Sequence, residues 1–196
     1  MFEKPTLSMG VPPKGKLTIK YKDVFHLEDL YKSMHWWLGE KRWIPEDGHE
    51  ILYVEKVSPD GASEHIIRWE FSKDAQDSPK YFRYKLKVEF HTLAIKPQEV
   101  VVDGKKLPAV KGEVEITITP SLVLDEDKMW QKSPVWATWQ TYFNKRHYKN
   151  KLEALRLELY NEMYEFQGSI KKFLQLKQFL PTADQEPFHP GRAFPT

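Results

Sequence analysis

From Lys16 onward the chain alternates, with Leu17, Ile19 and Tyr21 set against Thr18, Lys20 and Lys22. A period of two places each set on its own face and predicts a half-buried strand. The period then lengthens. Leu27, Leu30, Tyr31, Met34, Trp37 and Leu38 recur at spacings of 3, 1, 3, 3 and 1, which is one stripe of a helix. Gly39 stands where that helix is expected to end, and Pro45 with Asp47-Gly48 closes the connection.

The middle of the chain has the pattern of hairpins. Asp-Gly pairs at 47–48, 60–61 and 103–104 separate apolar or alternating segments, a turn signal because glycine tolerates positive φ. The strands are predicted over about 50–57, 64–72, 81–95, 99–102 and 113–124. The clearest is 81–95, where Phe82, Tyr84, Leu86, Val88, Phe90, Thr92 and Ala94 alternate with Tyr81, Arg83, Lys85, Lys87, Glu89, His91 and Leu93. One face in a core and one in water is the habit of antiparallel sheets.

After Asp125-Glu126-Asp127 the period becomes helical. Ser133-Pro134 has the form of an N-cap followed by proline at the first helical position, and Val135, Trp139, Tyr142 and Phe143 follow on one stripe. A second stripe runs through Leu152, Leu155, Leu159, Met163, Phe166, Ile170, Phe173 and Leu174. One helix over 134–180 would be about 70 Å long, so a break near 145–150 or a projecting end is expected, with Pro181 as the stop. The organisation is therefore an extended N-terminal arm (1–15), an α+β domain (16–180, helical over 134–180) and a proline-rich tail (181–196).

This order of elements, a strand, a helix, a run of hairpin strands and a long C-terminal helix, resembles the START-like or helix-grip superfamily over about 16–180. The resemblance implies a curved antiparallel sheet of about six strands packed on the long C-terminal helix, with a shorter helix after the first strand. It also implies a cavity between sheet and helix, commonly apolar, in a superfamily that includes carriers, enzymes and interaction modules. The inward faces read above then make Phe82, Tyr84, Leu86, Phe90, Met163 and Phe166 the candidate lining.

Composition narrows the chemistry. The 196 residues hold 30 Lys+Arg, 28 Asp+Glu and no cysteine, which removes disulfides, thiolate nucleophiles and Cys-ligated metals. No apolar run approaches the roughly 20 residues of a spanning helix, and Met1-Phe2-Glu3-Lys4-Pro5 lacks a signal-peptide core, so a cytoplasmic protein is expected. Seven histidines form no HxxxH or HExxH spacing, and neither phosphate-loop glycines nor a GxSxG elbow is present. Neither an enzyme nor a bound cofactor is expected. The cluster Lys145, Arg146, Lys149 and Lys151 is a candidate anion site for nucleic acid or an anionic membrane surface, although a solvated helix junction explains it more simply.

Eleven Phe, nine Tyr and seven Trp exceed what one core needs. Trp36 lies about 100° from the Trp37 stripe, Trp136 lies off the Val135/Trp139 stripe, and Phe188 and Phe194 sit among prolines in the tail. These four are candidate partner-binding residues. The leading expectation is a non-enzymatic structural or interaction protein that binds other subunits or a second copy of itself. The alternative is a carrier or sensor of an apolar small molecule bound between the sheet and the C-terminal helix.

Overall fold

Alternation over residues 17–25, 63–74 and 82–124 builds one antiparallel sheet in the computed structural model, which describes residues 7–10, 15–46, 48, 50–75, 81–102, 105–124, 146 and 149–174. The elements are β1 (Leu7–Gly10), β2 (Leu17–Phe25), α1 (Leu27–Glu40), β3 (Ile44–Pro45), β4 (Leu52–Val57), β5 (Ser63–Asp74), β6 (Phe82–Val102), β7 (Lys105–Leu124) and α2 (Lys149–Phe173). The fold is α+β, with a helix after the first long strand and a C-terminal helix packed on the sheet. β7, β6 and β5 form the centre. β2 and β1 lie end to end along the free edge of β7, and β4 and β3 lie end to end along β5. The first long strand thus lies beside the last. Among the described residues, no helix is long and apolar enough to cross a membrane.

Two differences from the sequence expectation have clear physical causes. The segments 81–95 and 99–102 are one strand, β6, interrupted by a bulge between Leu93 and Lys96. Ala94 is left-handed there, at φ 53°, and the extra residue ends the simple alternation. Gly112 faces the bulge from β7: a Cβ at that position would lie 2.6 Å from Ile95 Cδ1 and 2.9 Å from the Leu93 carbonyl oxygen. A side chain there must displace backbone.

The second difference is the end of α1. The left-handed residue is Arg42, at φ 63°, rather than Gly39. Arg42 N–H donates to the Gly39 carbonyl at 3.0 Å and Trp43 N–H to the Leu38 carbonyl at 2.9 Å, the paired bonds of a Schellman motif. A non-glycine residue in that conformation costs roughly 1–2 kcal/mol. Burial of Trp43, 3% exposed, offsets it, because removing a large aromatic from water is worth more than that strain. The short pairing of Ile44–Pro45 with Phe71–Ser72 follows directly. Pairing of Leu7–Gly10 with β7 likewise adds a strand inside the arm.

The core lies between the sheet and the two helices. Phe82, Tyr84, Leu86, Val88 and Phe90 from β6 meet Leu30, Met34 and Leu38 of α1 and Leu159, Met163 and Phe166 of α2. Trp37 stacks on Phe166 at 4.7 Å, whereas Trp36 on the next helical face is 68% exposed. The opposite face of the sheet is charged. Its cations meet carboxylates across strands, as in Lys20–Glu115 and Arg68–Glu89, along one strand, as in Lys87–Glu89, and from the connection after β3, as in Lys85–Glu46.

α2 is held by polar contacts as well as by its apolar stripe. Glu162, buried among core side chains, accepts from Trp43 Nε1 at 3.1 Å and from Lys73 Nζ at 2.7 Å. One turn earlier, the Tyr84 hydroxyl donates to Glu158 at 3.2 Å, and one turn later Lys41 pairs with Glu165 at 2.9 Å. Removing a partner from a buried charged pair leaves the other uncompensated. Glu162→Ala is therefore expected to cost about 3 kcal/mol of folding stability, measured by urea unfolding. The double variant Glu162→Gln with Lys73→Met, which removes both charges, is expected to recover part of that loss.

Candidate functional site

Where β2 turns into α1, residues from the stretch 26–31 form one side of a cleft. His26 is the N-cap residue, extended at φ −95° and ψ 99°, and makes no side-chain cap bond. The first turn carries Glu28 and Asp29, placed where carboxylates complement the helix N-terminus. Opposite them, on the helix-facing side of the sheet, β4 and β5 present Tyr53 and Ile67 as direct cross-strand partners, and His65 two residues on. Glu50 enters from the connection before β4. Pro108, Ala109 and Val110 come from β7 just beyond the bulge. Together these residues line an open cleft of about 690 Å³.

The floor of the cleft, its buried part, is formed by Ile67 and Ala109 beside His65 and flanked by half-buried Leu27 and Val110, while the exposed rim carries Glu28, Asp29, Glu50, Tyr53 and Pro108. Tyr31 donates its hydroxyl to a Glu50 carboxylate oxygen and packs edge-on against Trp69, with ring centroids 4.7 Å apart. Burial raises the Tyr31 phenol well above the ordinary tyrosine range. The neighbouring Glu50 carboxylate adds to the rise, and the Trp69 indole works against it. Tyr53 is raised too, by partial burial first and then by Glu55 and Glu50. Both phenols therefore stay neutral near pH 7.

His65 is fixed by one oxygen. Thr92 Oγ1 accepts the His65 backbone N–H at 3.0 Å and lies 2.9 Å from ring Nδ1. The other ring nitrogen, Nε2, lies 3.5 Å from Glu55 Oε1. Thr92 itself is fully buried, so its hydroxyl serves to orient the ring. Among the described residues no three His, Asp or Glu side chains converge as a metal site. The cleft offers two phenols, an oriented imidazole and carboxylates above an apolar floor, the equipment of a binding site.

The residues singled out from sequence fall elsewhere. Phe82, Tyr84, Leu86, Phe90, Met163 and Phe166 come together in the core, each at most 1% exposed, and none lines this cleft. Trp36 is exposed on α1. Of the basic cluster, Arg146 and Lys149 are exposed, and Lys151 is half-buried with its Nζ 5.7 Å above the Phe82 ring. Trp136, Lys145, Phe188 and Phe194 lie outside the described residues. The cleft residues carry no local motif. Tyr53 and His65 differ from their strand neighbours only by facing the helices, and cross-strand register is what joins them.

Compared with known proteins, the chain matches no family model and no curated protein.

The environment of Tyr31 makes stability depend on alkaline pH. Above the ordinary value of 10.0 the unfolded chain loses the phenol proton while the native protein keeps it. The native state then binds more protons, so stability falls as pH rises. Urea midpoints measured on either side of pH 10.0 are expected to show this fall, and Tyr31→Phe is expected to flatten it. Part of the fall remains in that variant, because burial and Glu158 hold Tyr84 protonated in the same way.

Proposed function

We propose that this chain is a START-like, non-enzymatic carrier or sensor of a small molecule, and that the molecule occupies the cleft between the start of α1 and the sheet. The observation that carries this is the cleft itself: about 690 Å³, apolar below and polar at the rim, a size and lining suited to a drug-sized ligand. START-like affinity draws support from the sheet order, with β2 beside β7 and then β6, β5 and β4 in turn, and from the C-terminal helix across the sheet. The site differs from the sequence expectation. It lies under α1 and the β7 lip rather than under α2, whose apolar stripe is packed into the core. A cytoplasmic setting accords with the lack of cysteine.

Native mass spectrometry of the gently purified protein tests this. A bound small molecule is expected, and Ala109→Trp, which fills the cleft from the β7 side, is expected to abolish it. No adduct, together with no thermal stabilisation by any compound of a chemically diverse panel, overturns the proposal.

A second reading, assembly with a protein partner or a second copy, is favoured by Trp36, 68% exposed, with Ile44 at 61% and Val57 at 68%. Large apolar side chains exposed together mark an interface, whereas singly scattered ones are ordinary, so this reading needs the three to share one patch. Light scattering coupled to size-exclusion chromatography is expected to show a dimer or larger species that Trp36→Glu converts to monomer, and a concentration-independent monomer in the wild type discards self-association. Anion binding draws less support. The outward cations Arg83, Lys85 and Lys87 sit beside Asp74, Glu46 and Glu89.

A further inference from the structure

Charge is distributed unevenly around the cleft. Among the described residues its lining includes three carboxylates, Glu28, Asp29 and Glu50, two histidines, His26 and His65, and no lysine or arginine. Lys32, outside the lining, pairs with Glu28 at 2.5 Å and takes up one of these charges. Glu50 accepts the Tyr31 hydroxyl, a neutral donor, and so keeps its full negative charge. Asp29 is exposed and has no ion-pair partner among the described residues. The partial positive charge at the α1 N-terminus, about half a unit, is smaller than the two carboxylate charges that remain. The described part of the lining therefore favours a cation over an anion.

The aromatic rings add a second preference. Tyr31 of α1 and Tyr53 of β4 both line the cleft. Ring faces attract cations, most strongly those that are weakly hydrated, such as alkylammonium groups. The apolar floor of Ile67 and Ala109 with Leu27 and Val110 accepts a hydrocarbon body but gives nothing to a fully hydrated inorganic ion. Carboxylates and phenol rings over an apolar floor select a molecule that is cationic at one end and apolar at the other.

We infer that the cleft binds a small organic cation, an alkylated amine carrying an apolar or aromatic group, with its ammonium between Glu50, Asp29 and the two tyrosine rings. This rests on the small-molecule reading above and specifies its ligand class.

Isothermal titration with three probes of similar size tests it: benzyltrimethylammonium, neutral benzyl alcohol and anionic phenylacetate. The cation is expected to bind most tightly. Glu50→Gln is expected to weaken it about fivefold, the effect of one partly exposed charge pair, while leaving benzyl alcohol unchanged. Asp29→Asn, at an exposed position in the first turn of α1, is expected to weaken the cation in the same direction and serves as the second variant should loss of the Tyr31 bond disturb Glu50→Gln. Equal or tighter binding of benzyl alcohol or phenylacetate overturns the cation inference and leaves the small-molecule reading standing. So does cation binding that neither variant alters. If none of the three binds and Ala109→Trp changes nothing in native mass spectrometry, both fall together.

Discussion

The Glu162 carboxylate joins three parts of the chain that are far apart in sequence: α2, the chain just after α1, and β5. Its two donors are unlike each other. Trp43 supplies an indole N–H from a residue pinned by the helix-terminating bonds of α1, and Lys73 supplies a full charge from the sheet. A carboxylate this deeply placed is tolerated only when its lone pairs are met, so the contact forms in one arrangement of the two helices and the sheet. Apolar side chains along α2 tolerate small slides or rotations. The Glu162 contact does not, and it sets the register in which Phe166 meets Trp37.

With α2 seated in this way, its apolar stripe is packed into the core, and the cleft lies at the other end of α1. There α1 begins after its N-cap residue His26, and the strand pair β6–β7 passes the bulge at Ala94. The same irregularity that breaks the alternation thus supplies one wall of the cleft. Its cost is local: a left-handed alanine and a backbone approach at Gly112 that leaves no room for a side chain. Such strain is commonly held where a protein shapes a site, and here it brings Pro108–Val110 into the lining that α1 and β5 share.

How legible each part was depended on the range of the interaction that forms it. Period-two and period-3.6 patterns report burial along one element, and β2, α1, β5, the first part of β6 and the stripe of α2 follow them closely. Trp36 and Trp37 were separated by helical spacing alone. Gly39 misled because the left-handed position at the end of α1 is occupied by Arg42, whose strain is compensated by burial of the next residue, something no local preference records. The two-residue strand at Ile44 and the bulge at Ala94 are likewise consequences of tertiary pairing. Least visible was the cleft. Its residues come from four stretches, 26–31, 50–53, 65–67 and 108–110, each ordinary in isolation, and His65 and Tyr53 become neighbours only through the β4–β5 register. Six aromatic and apolar residues on inward faces were correctly inward, but inwardness does not separate a packed core from a lining.

The ribbon beyond the bulge has a kinetic consequence. From Pro97↔Val110 to Val102↔Lys105 its two strands pair with each other, while β5 has already ended its pairing at Ser63↔Ile95 and β2 ends at Phe25↔Val110. A two-stranded hairpin with no third strand is only marginally stable on its own, and hairpins form on a timescale of about 1–10 μs. Because Pro108 and Ala109 belong to this ribbon, fraying opens one wall of the cleft while the Glu162 contact and the core remain intact. This wall of the cleft therefore opens on the timescale of a hairpin, many orders of magnitude faster than unfolding of the domain.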